Sequence, residues 1–467
     1  MICNDINPGD IFQEGHSMHE IPQHPRERAL LVGVSSSTKQ TAGVEEALDE
    51  LALLADTAGA DIIDRVIQVR RTLHPAYYIG MGKAEEIAEQ CEMEDIDLVI
   101  FDDDLSPAQI KNLDKVIERR ILDRSGLILD IFATRAKSKQ AKLQVELAQL
   151  QYMMPRLTRQ WDHLSRQEGG VASSSSGGAI GVRGPGETQL EVDRRLLRGR
   201  ITHLTRSLNN LVDSYHRQRK RRSTMFCAAL VGYTNAGKST IFNGFTNANT
   251  LIEDRLFATL DSTTRVVNVT QGQPILLSDT VGFIRKLPHH LIASFKSTLT
   301  EVYDADVLIH VVDGSHPQFE DHITTVNKVL EDLGVNDMPS LMVFNKSDAI
   351  KSRDHLDQLL YEHPGAIAIS ALNLPDLERL REKMAEIVDN HRVELDLFIP
   401  HRDGKILSII YDAGDVMIRE DEPEGVRVSV RILPSDAGKM SKLLNKYIYR
   451  DLETVRQESE SGSGLIL

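Results

Sequence analysis

Gly232, Tyr233, Thr234, Asn235, Ala236, Gly237, Lys238, Ser239 and Thr240 stand directly after the apolar run Phe226 to Val231. A strand that empties into a glycine-bounded loop carrying Lys and Ser has the parts needed to wrap the phosphates of a nucleoside triphosphate. The glycines let backbone amides turn inward around anionic oxygens. Lys238 reaches the β and γ phosphates and the Ser239 hydroxyl holds Mg²⁺. Taken alone, such a turn also serves as a mere tight connection, and the residues downstream of it decide the chemistry. Asp279, Thr280, Val281 and Gly282 close the apolar run Pro274 to Leu277. This sets a carboxylate at a strand end beside the magnesium shell and a glycine amide where a γ phosphate lies.

The base is specified further along. Asn345, Lys346, Ser347 and Asp348 come after Leu341 to Phe344. A carboxylate there accepts hydrogen bonds from N1 and the exocyclic amine of guanine, and adenine lacks both donors. Ser370, Ala371 and Leu372 come after another apolar stretch and are expected to offer a backbone amide to the guanine carbonyl. Between the phosphate motifs lie Phe257, Ala258, Thr259, Leu260 and Asp261, a switch segment also expected at the nucleotide. Thr259 is the first choice for a second magnesium hydroxyl, with Thr263 and Thr264 as rivals. Many GTPases orient the attacking water with a glutamine after the Asp-x-x-Gly motif, but here the position holds Phe283, so no residue is assigned as catalytic base.

Elements must position these groups, and the periodicities supply them. Before the motifs, apolar strands (Ala29 to Val34, Ile67 to Arg70, Asp97 to Phe101) alternate with helical stretches (Gly43 to Thr57, Ala84 to Cys91, Ser106 to Glu118). Leu127 to Phe132 reads as the next strand or as a helical continuation. The alternation predicts a small parallel sheet covered by helices. Tyr78 to Lys83 contains a Gly-Lys pair without phosphate-loop spacing and is read as a structural turn.

Two amphipathic helices come next. One carries Leu143, Leu147, Leu150, Met154 and Leu157, and the other Leu196, Leu197, Ile201, Leu204, Leu208 and Leu211, at three- and four-residue intervals. Their outer faces are basic, with Arg194, Arg195, Arg198, Arg219, Lys220, Arg221 and Arg222 prominent. They are expected to pair as an antiparallel hairpin. Its Gly/Ser-rich tip, Glu168 to Glu187, is either a solvated linker or an RNA probe carrying Arg183, Gly184, Pro185, Gly186 and Glu187.

Composition bounds the rest. A chain of 467 residues with 41% apolar content supports several cores. The expected division is a polar extension 1–27, an α/β domain 28–136, the basic hairpin 137–223, a phosphate-loop domain 224–392, a small α+β domain 393–450 and a tail 451–467. The fold class is multidomain α/β. Cys3, Cys91 and Cys227 lie far apart, which argues against a disulfide framework. No apolar run suits a bilayer and the opening residues carry no signal-peptide core, so a cytoplasmic location is expected. The net charge of −15 opposes nucleic acid globally, whereas the hairpin reverses it locally. RNA rather than DNA is the expected polyanion, and nothing requires a dimer.

With these residues in place, the chain resembles the HflX GTPases, bacterial ribosome-associated factors of the Obg-HflX group. The resemblance runs from about Arg28 to Tyr447. Beside the nucleotide motifs it rests on Gly80 to Lys83, Ser106 to Gln109, Leu143 to Leu150, Arg183 to Leu190 and Phe257 to Asp261. It implies GTP hydrolysis with Mg²⁺, slow alone and faster on ribosomal particles. It also implies binding to the 50S subunit and its 23S rRNA, and splitting of stalled 70S ribosomes under stress. Val171 to Gly178 departs from the family as an insertion near the tip. Asn235 resembles the asparagine of potassium-activated GTPases, the alternative being that it only braces the loop. Two other functions remain open from sequence: a large-subunit assembly factor or RNA chaperone, and a regulatory switch with a protein partner.

Overall fold

A computed structural model describes residues 26–37, 41–168, 185–219, 225–246, 256–270, 273–286, 300–335, 337–350 and 352–433, and most of 437–448. The chain divides into two compact units, the first ending at Leu127 and the second beginning at Ile128.

The first unit is a parallel sheet of order β2-β1-β3-β4, from β1 (Glu27–Ser35), β2 (Ala60–Val69), β3 (Leu98–Phe101) and β4 (Arg120–Asp123). Helices α1 (Thr41–Ala58), α2 (Met81–Met93) and α3 (Pro107–Ile117) join the strands. β1 and β3 are apolar almost throughout because a parallel sheet is covered on both faces. Leu30, Val32, Val99, Phe101, Ile87 and Leu113 form its core, each worth about 1.5–3 kcal/mol of burial. Ser106 starts α3 through a capping box with Gln109, and Pro107 fits the first turn, where no N–H is needed. The turn reading of Tyr78 to Lys83 fits the geometry: Tyr78 and Gly80 have φ of 64° and 98°, and Arg70 Nη1 donates to Ile79 O at 2.8 Å. β4 was not anticipated, since four residues are too few to show a period. Leu127 to Phe132 takes the helical alternative, inside α4 (Arg124–Arg135).

In the second unit α5 (Lys139–Glu168) and α6 (Pro185–Arg219) pack along Leu147, Leu204 and Leu208, flanked by Leu143, Leu150 and Ile201. Residues early in α5 thus meet the second half of α6, which is antiparallel pairing. Arg200 adds an ion pair with Glu146 at 2.6 Å. Gly184 and Arg183, the insertion Val171 to Gly178, and Lys220 to Arg222 lie outside the described residues. A larger sheet comes next, order β10-β9-β8-β5-β7-β6. Its strands are β5 (Phe226–Gly232), β6 (Thr263–Thr270), β7 (Gln273–Asp279), β8 (Val307–Asp313), β9 (Ser340–Asn345) and β10 (Ile367–Ala368). All pairings are parallel except β6 with β7. Helix α7 (Lys238–Thr246) and the helix Leu374–Asn390 bury one face, with Phe242, Leu377 and Leu380 in the core.

The last sheet is antiparallel, β11 (Val393–Pro400), β13 (Gly425–Ile432) and β12 (Gly414–Glu422), packed on the helix Lys405–Ala413 through Leu397, Ile410 and Val428. Among the described residues no helix is long and apolar enough to cross a membrane.

Candidate nucleotide site

The β5–α7 turn is built around two glycines that no other residue can replace. Gly232 has φ 151°, and a Cβ there would lie 2.1 Å from Val311 O. Gly237 has φ 94°, and its Cβ would lie 2.1 Å from Asn345 Nδ2. Asn235 between them is also left-handed, at φ 61°, a conformation asparagine tolerates better than most residues. Asn345, 2% exposed, donates from Nδ2 to Ala236 O at 2.8 Å and accepts the Ala371 N–H on Oδ1 at 2.9 Å. It therefore clamps the phosphate loop to the segment expected to meet the base. The Ser370 N–H goes to Asp376 Oδ2 at 2.9 Å. The Ser370 and Ala371 amides thus have protein partners, and a base carbonyl meeting either one would have to share its donor.

Burial makes Lys238 an unusual ammonium. It is 5% exposed and donates to Gly232 O (3.1 Å) and Tyr233 O (2.6 Å). Burial lowers its pKa to about 8, with Asp279 opposing the shift. Asp279 ends β7 fully buried. Ser239 Oγ donates to its Oδ2 at 2.7 Å and Thr259 Oγ1 to the same oxygen at 3.1 Å, with the two hydroxyls 2.7 Å apart. Burial raises the Asp279 pKa against the pull of these hydrogen bonds and of Lys238. Its other oxygen, Oδ1, is buried with no hydrogen-bond partner among the described residues. Two hydroxyls and an undersatisfied carboxylate form a hard oxygen set, which fits Mg²⁺. The rival candidates are Thr263 and Thr264. They lie in β6, paired with Asp279 and Ser278, and Thr264 Oγ1 meets Ser278 Oγ at 2.9 Å.

The segment after Asp279 is stitched to the phosphate loop. Thr234 N–H donates to Phe283 O (2.7 Å), Phe283 N–H to Gly232 O (3.1 Å), and Arg285 N–H to the Tyr233 hydroxyl (2.9 Å). A Cβ on Gly282 would sit 2.8 Å from Thr234 Cα and 3.0 Å from Lys238 Nζ, so only glycine passes here. Phe283 is 3% exposed, and its buried ring cannot hold a water. Tyr233 stacks on His322 with ring centres 3.8 Å apart, which fixes the loop from behind.

These elements surround a cavity of about 320 Å³. Thr234, Asn235, Gly237, Lys238, Ser239 and Thr240 line one end, with Phe257, Ala258, Thr259, Thr280 and Gly282 beside them. Asn345, Lys346, Asp348, Ala349, Ser370, Ala371 and Leu372 line the other. Gly232, Tyr233, Ala236, Leu260, Asp279, Val281 and Ser347, all expected at the nucleotide, support this wall rather than line it. Asp261, also expected at the nucleotide, does not line the cavity, and its carboxylate accepts the N–H groups of Lys137 (3.0 Å) and Ser138 (2.9 Å). Sequence reasoning also missed Asp313, at the end of β8, which pairs with Lys346 at 2.7 Å. Its position after an apolar strand, like that of Asp279, was the available signal.

A phosphate loop at a strand–helix turn, a carboxylate and hydroxyl cation set, and an Asn-Lys-x-Asp segment across one cavity define a P-loop GTP-binding protein. Models described as a GTP-binding GTPase N-terminal region, a GTP-binding GTPase middle region and a 50S ribosome-binding GTPase match residues 45–133, 135–222 and 227–346. The chain is 45% identical to GTPase HflX of Flavobacterium psychrophilum over 78% of this chain and 90% of that protein. It is 41% identical to GTPase HflX of Escherichia coli K12, over 83% of this chain and 90% of that protein. A crystal structure of a GTP-binding protein from Sulfolobus solfataricus with GDP aligns at 25% identity and TM-score 0.41, over 77% of this chain and 98% of the other. The chain belongs to the HflX family of GTPases, and GTP hydrolysis is its activity.

Proposed function

We propose that this GTPase works on the large ribosomal subunit, binding 50S particles through 23S rRNA in its GTP form and dissociating stalled or hibernating 70S ribosomes under stress. The observation that carries the reading is the hairpin. Its apolar seam is consumed between α5 and α6, and Arg195, Arg198, Arg200 and Arg206 project into solvent, with Arg194 half-buried beside them. A family model described as a 50S ribosome-binding GTPase over residues 227–346 supports the choice of partner.

In this reading the loop from Gly232 to Thr240 holds the phosphates, Lys238 neutralises the β and γ oxygens, and Asp348 selects guanine while Asn345 braces the loop. Ser239 and Thr259 hold Mg²⁺ with Asp279 behind them. The ion supplies charge neutralisation for the departing phosphate. Because Phe283 cannot orient water, a monovalent cation beside Asn235, potassium, is assigned to help offset charge at the phosphates. The protein acts as a cytoplasmic monomer. Arg183 to Glu187 and Arg219 to Arg222, which in sequence flank α6, are further candidates for RNA contact.

Replacing Arg195, Arg198 and Arg206 together by Glu tests this on 50S particles. Affinity should fall strongly, and the salt dependence should flatten by about one unit of log–log slope for each phosphate no longer neutralised. Unchanged affinity and slope would instead make the hairpin a scaffold for a protein partner. Association with precursor particles alone would favour an assembly role.

A further inference from the structure

The segment that carries Thr259 is fastened on both sides to the root of the hairpin. Two residues before Thr259, the Phe257 ring is 2% exposed and meets Phe132 of α4 edge-on, centres 4.7 Å apart at 81°. Phe257 holds φ 56°, a left-handed conformation that a bulky residue keeps only when its surroundings enforce it. Two residues after Thr259, Asp261 accepts the N–H groups of Lys137 and Ser138, and the Ser138 hydroxyl donates to its other oxygen. Ser138 Oγ in turn accepts the Ala141 N–H at 3.0 Å, capping the first turn of α5. A carboxylate at that terminus is favoured by the orphan amides and by the helix dipole. Thr259 lies midway, its hydroxyl against Ser239 and Asp279. With both flanks tethered, a short segment has no slack to absorb movement of the hairpin root.

We infer that Ser138 and Asp261 are positioning residues for GTP hydrolysis: their hydrogen bonds set where the Thr259 hydroxyl sits, so hydrolysis responds to the orientation of the hairpin. This deepens the function proposed above and rests on its reading of Thr259. Helix α5 runs 30 residues with Pro155 inside it, and the stretch before Pro155, about 24 Å long, carries a tilt imposed on the hairpin to its root. A displacement of Thr259 of the order of an ångström is enough to change turnover greatly. Neither Ser138 nor Asp261 lines the cavity, so the latch acts on the reaction and not on GDP binding.

The test compares Ser138→Ala, Asp261→Ala, the double variant and Ser138→Thr in the full chain, without ribosomes, with Thr259→Ala as reference. Each single alanine variant should lower kcat by about tenfold or more while GDP affinity is unchanged. The double variant should be no worse than either single one, because both remove the same latch. Ser138→Thr, which keeps the hydroxyl, should restore most of kcat. Multiplicative losses, an unchanged kcat, or a matching loss of GDP affinity would overturn the inference. If Thr259→Ala lowers kcat and the latch variants do not, only the latch fails. If Thr259→Ala leaves kcat intact, the reading of the magnesium site fails with it.

Discussion

Among the described residues, the parallel first sheet and the second sheet, parallel except for β6, both have strands that end in polar residues, and the two treat those ends differently. In the first sheet the charges pair with one another, although Arg124 Nε is buried with no hydrogen-bond partner among the described residues. Arg124, after β4 and 1% exposed, pairs with Asp102 at 2.7 Å and Glu50 at 2.5 Å, and Tyr78 and Ser125 bond Asp103 and Asp104. Even the Gly-Lys pair is closed, since Lys83 pairs with Glu86 at 2.6 Å. In the second sheet Lys238 donates to backbone carbonyls of its own loop, and Asp279 Oδ1 has no hydrogen-bond partner among the described residues. A strand-end crevice becomes a ligand site when its buried polar groups are left for the ligand to satisfy.

The contrast breaks most visibly in the first sheet. Arg124→Ala strands the buried Asp102 and the part-buried Glu50 and should cost about 3 kcal/mol of stability in denaturant unfolding, while GTP affinity stays the same. A loss of GTP affinity in folded protein would mean that this network serves the site. Lys238→Ala should do the reverse, weakening GTP binding roughly 100-fold (about 2.7 kcal/mol) in equilibrium titration with little loss of stability.

A smaller effect sharpens the point through pH. Lys238 is held near 8 instead of its ordinary 10.5 because the charged form is buried. Between those values the folded, nucleotide-free protein binds fewer protons than the unfolded chain, so its stability rises with pH. Phosphates favour the ammonium, so GTP binding takes up a proton above about pH 8. Affinity should then fall with rising pH, by at most about tenfold per unit. Calorimetry in buffers of different ionisation enthalpy measures that uptake, and a flat profile to about pH 10 would contradict the buried-ammonium account. Smallest is the response to cations: replacing potassium by sodium should slow hydrolysis, and equal rates would leave Asn235 as a brace alone.

The nucleotide site was legible where a local rule forced the residue. Gly232, Gly237 and Gly282 are dictated by backbone clearance, and Asp279 and Asn345 stand at the ends of apolar strands. The hairpin seam was legible from its helical period. What escaped depends on partners distant in sequence. Asp261 sits inside a phosphate-adjacent motif, yet its partner Ser138 lies 123 residues away, and no spacing reports that. Asn345 stands in the same motif as Asp348, yet that its amide spans two loops depends on Ala236 and Ala371, which no local spacing reports. β4 was too short to show alternation, and Asp313 declared its role only once Lys346 folded over it.

The most direct test of the whole account is sedimentation of the purified protein with 70S ribosomes and separated subunits, in GDP and in a non-hydrolysable GTP analogue. The account predicts loss of the 70S peak with the analogue alone and protein travelling with the 50S subunit. An intact 70S peak with no cofractionating protein in either nucleotide would contradict it.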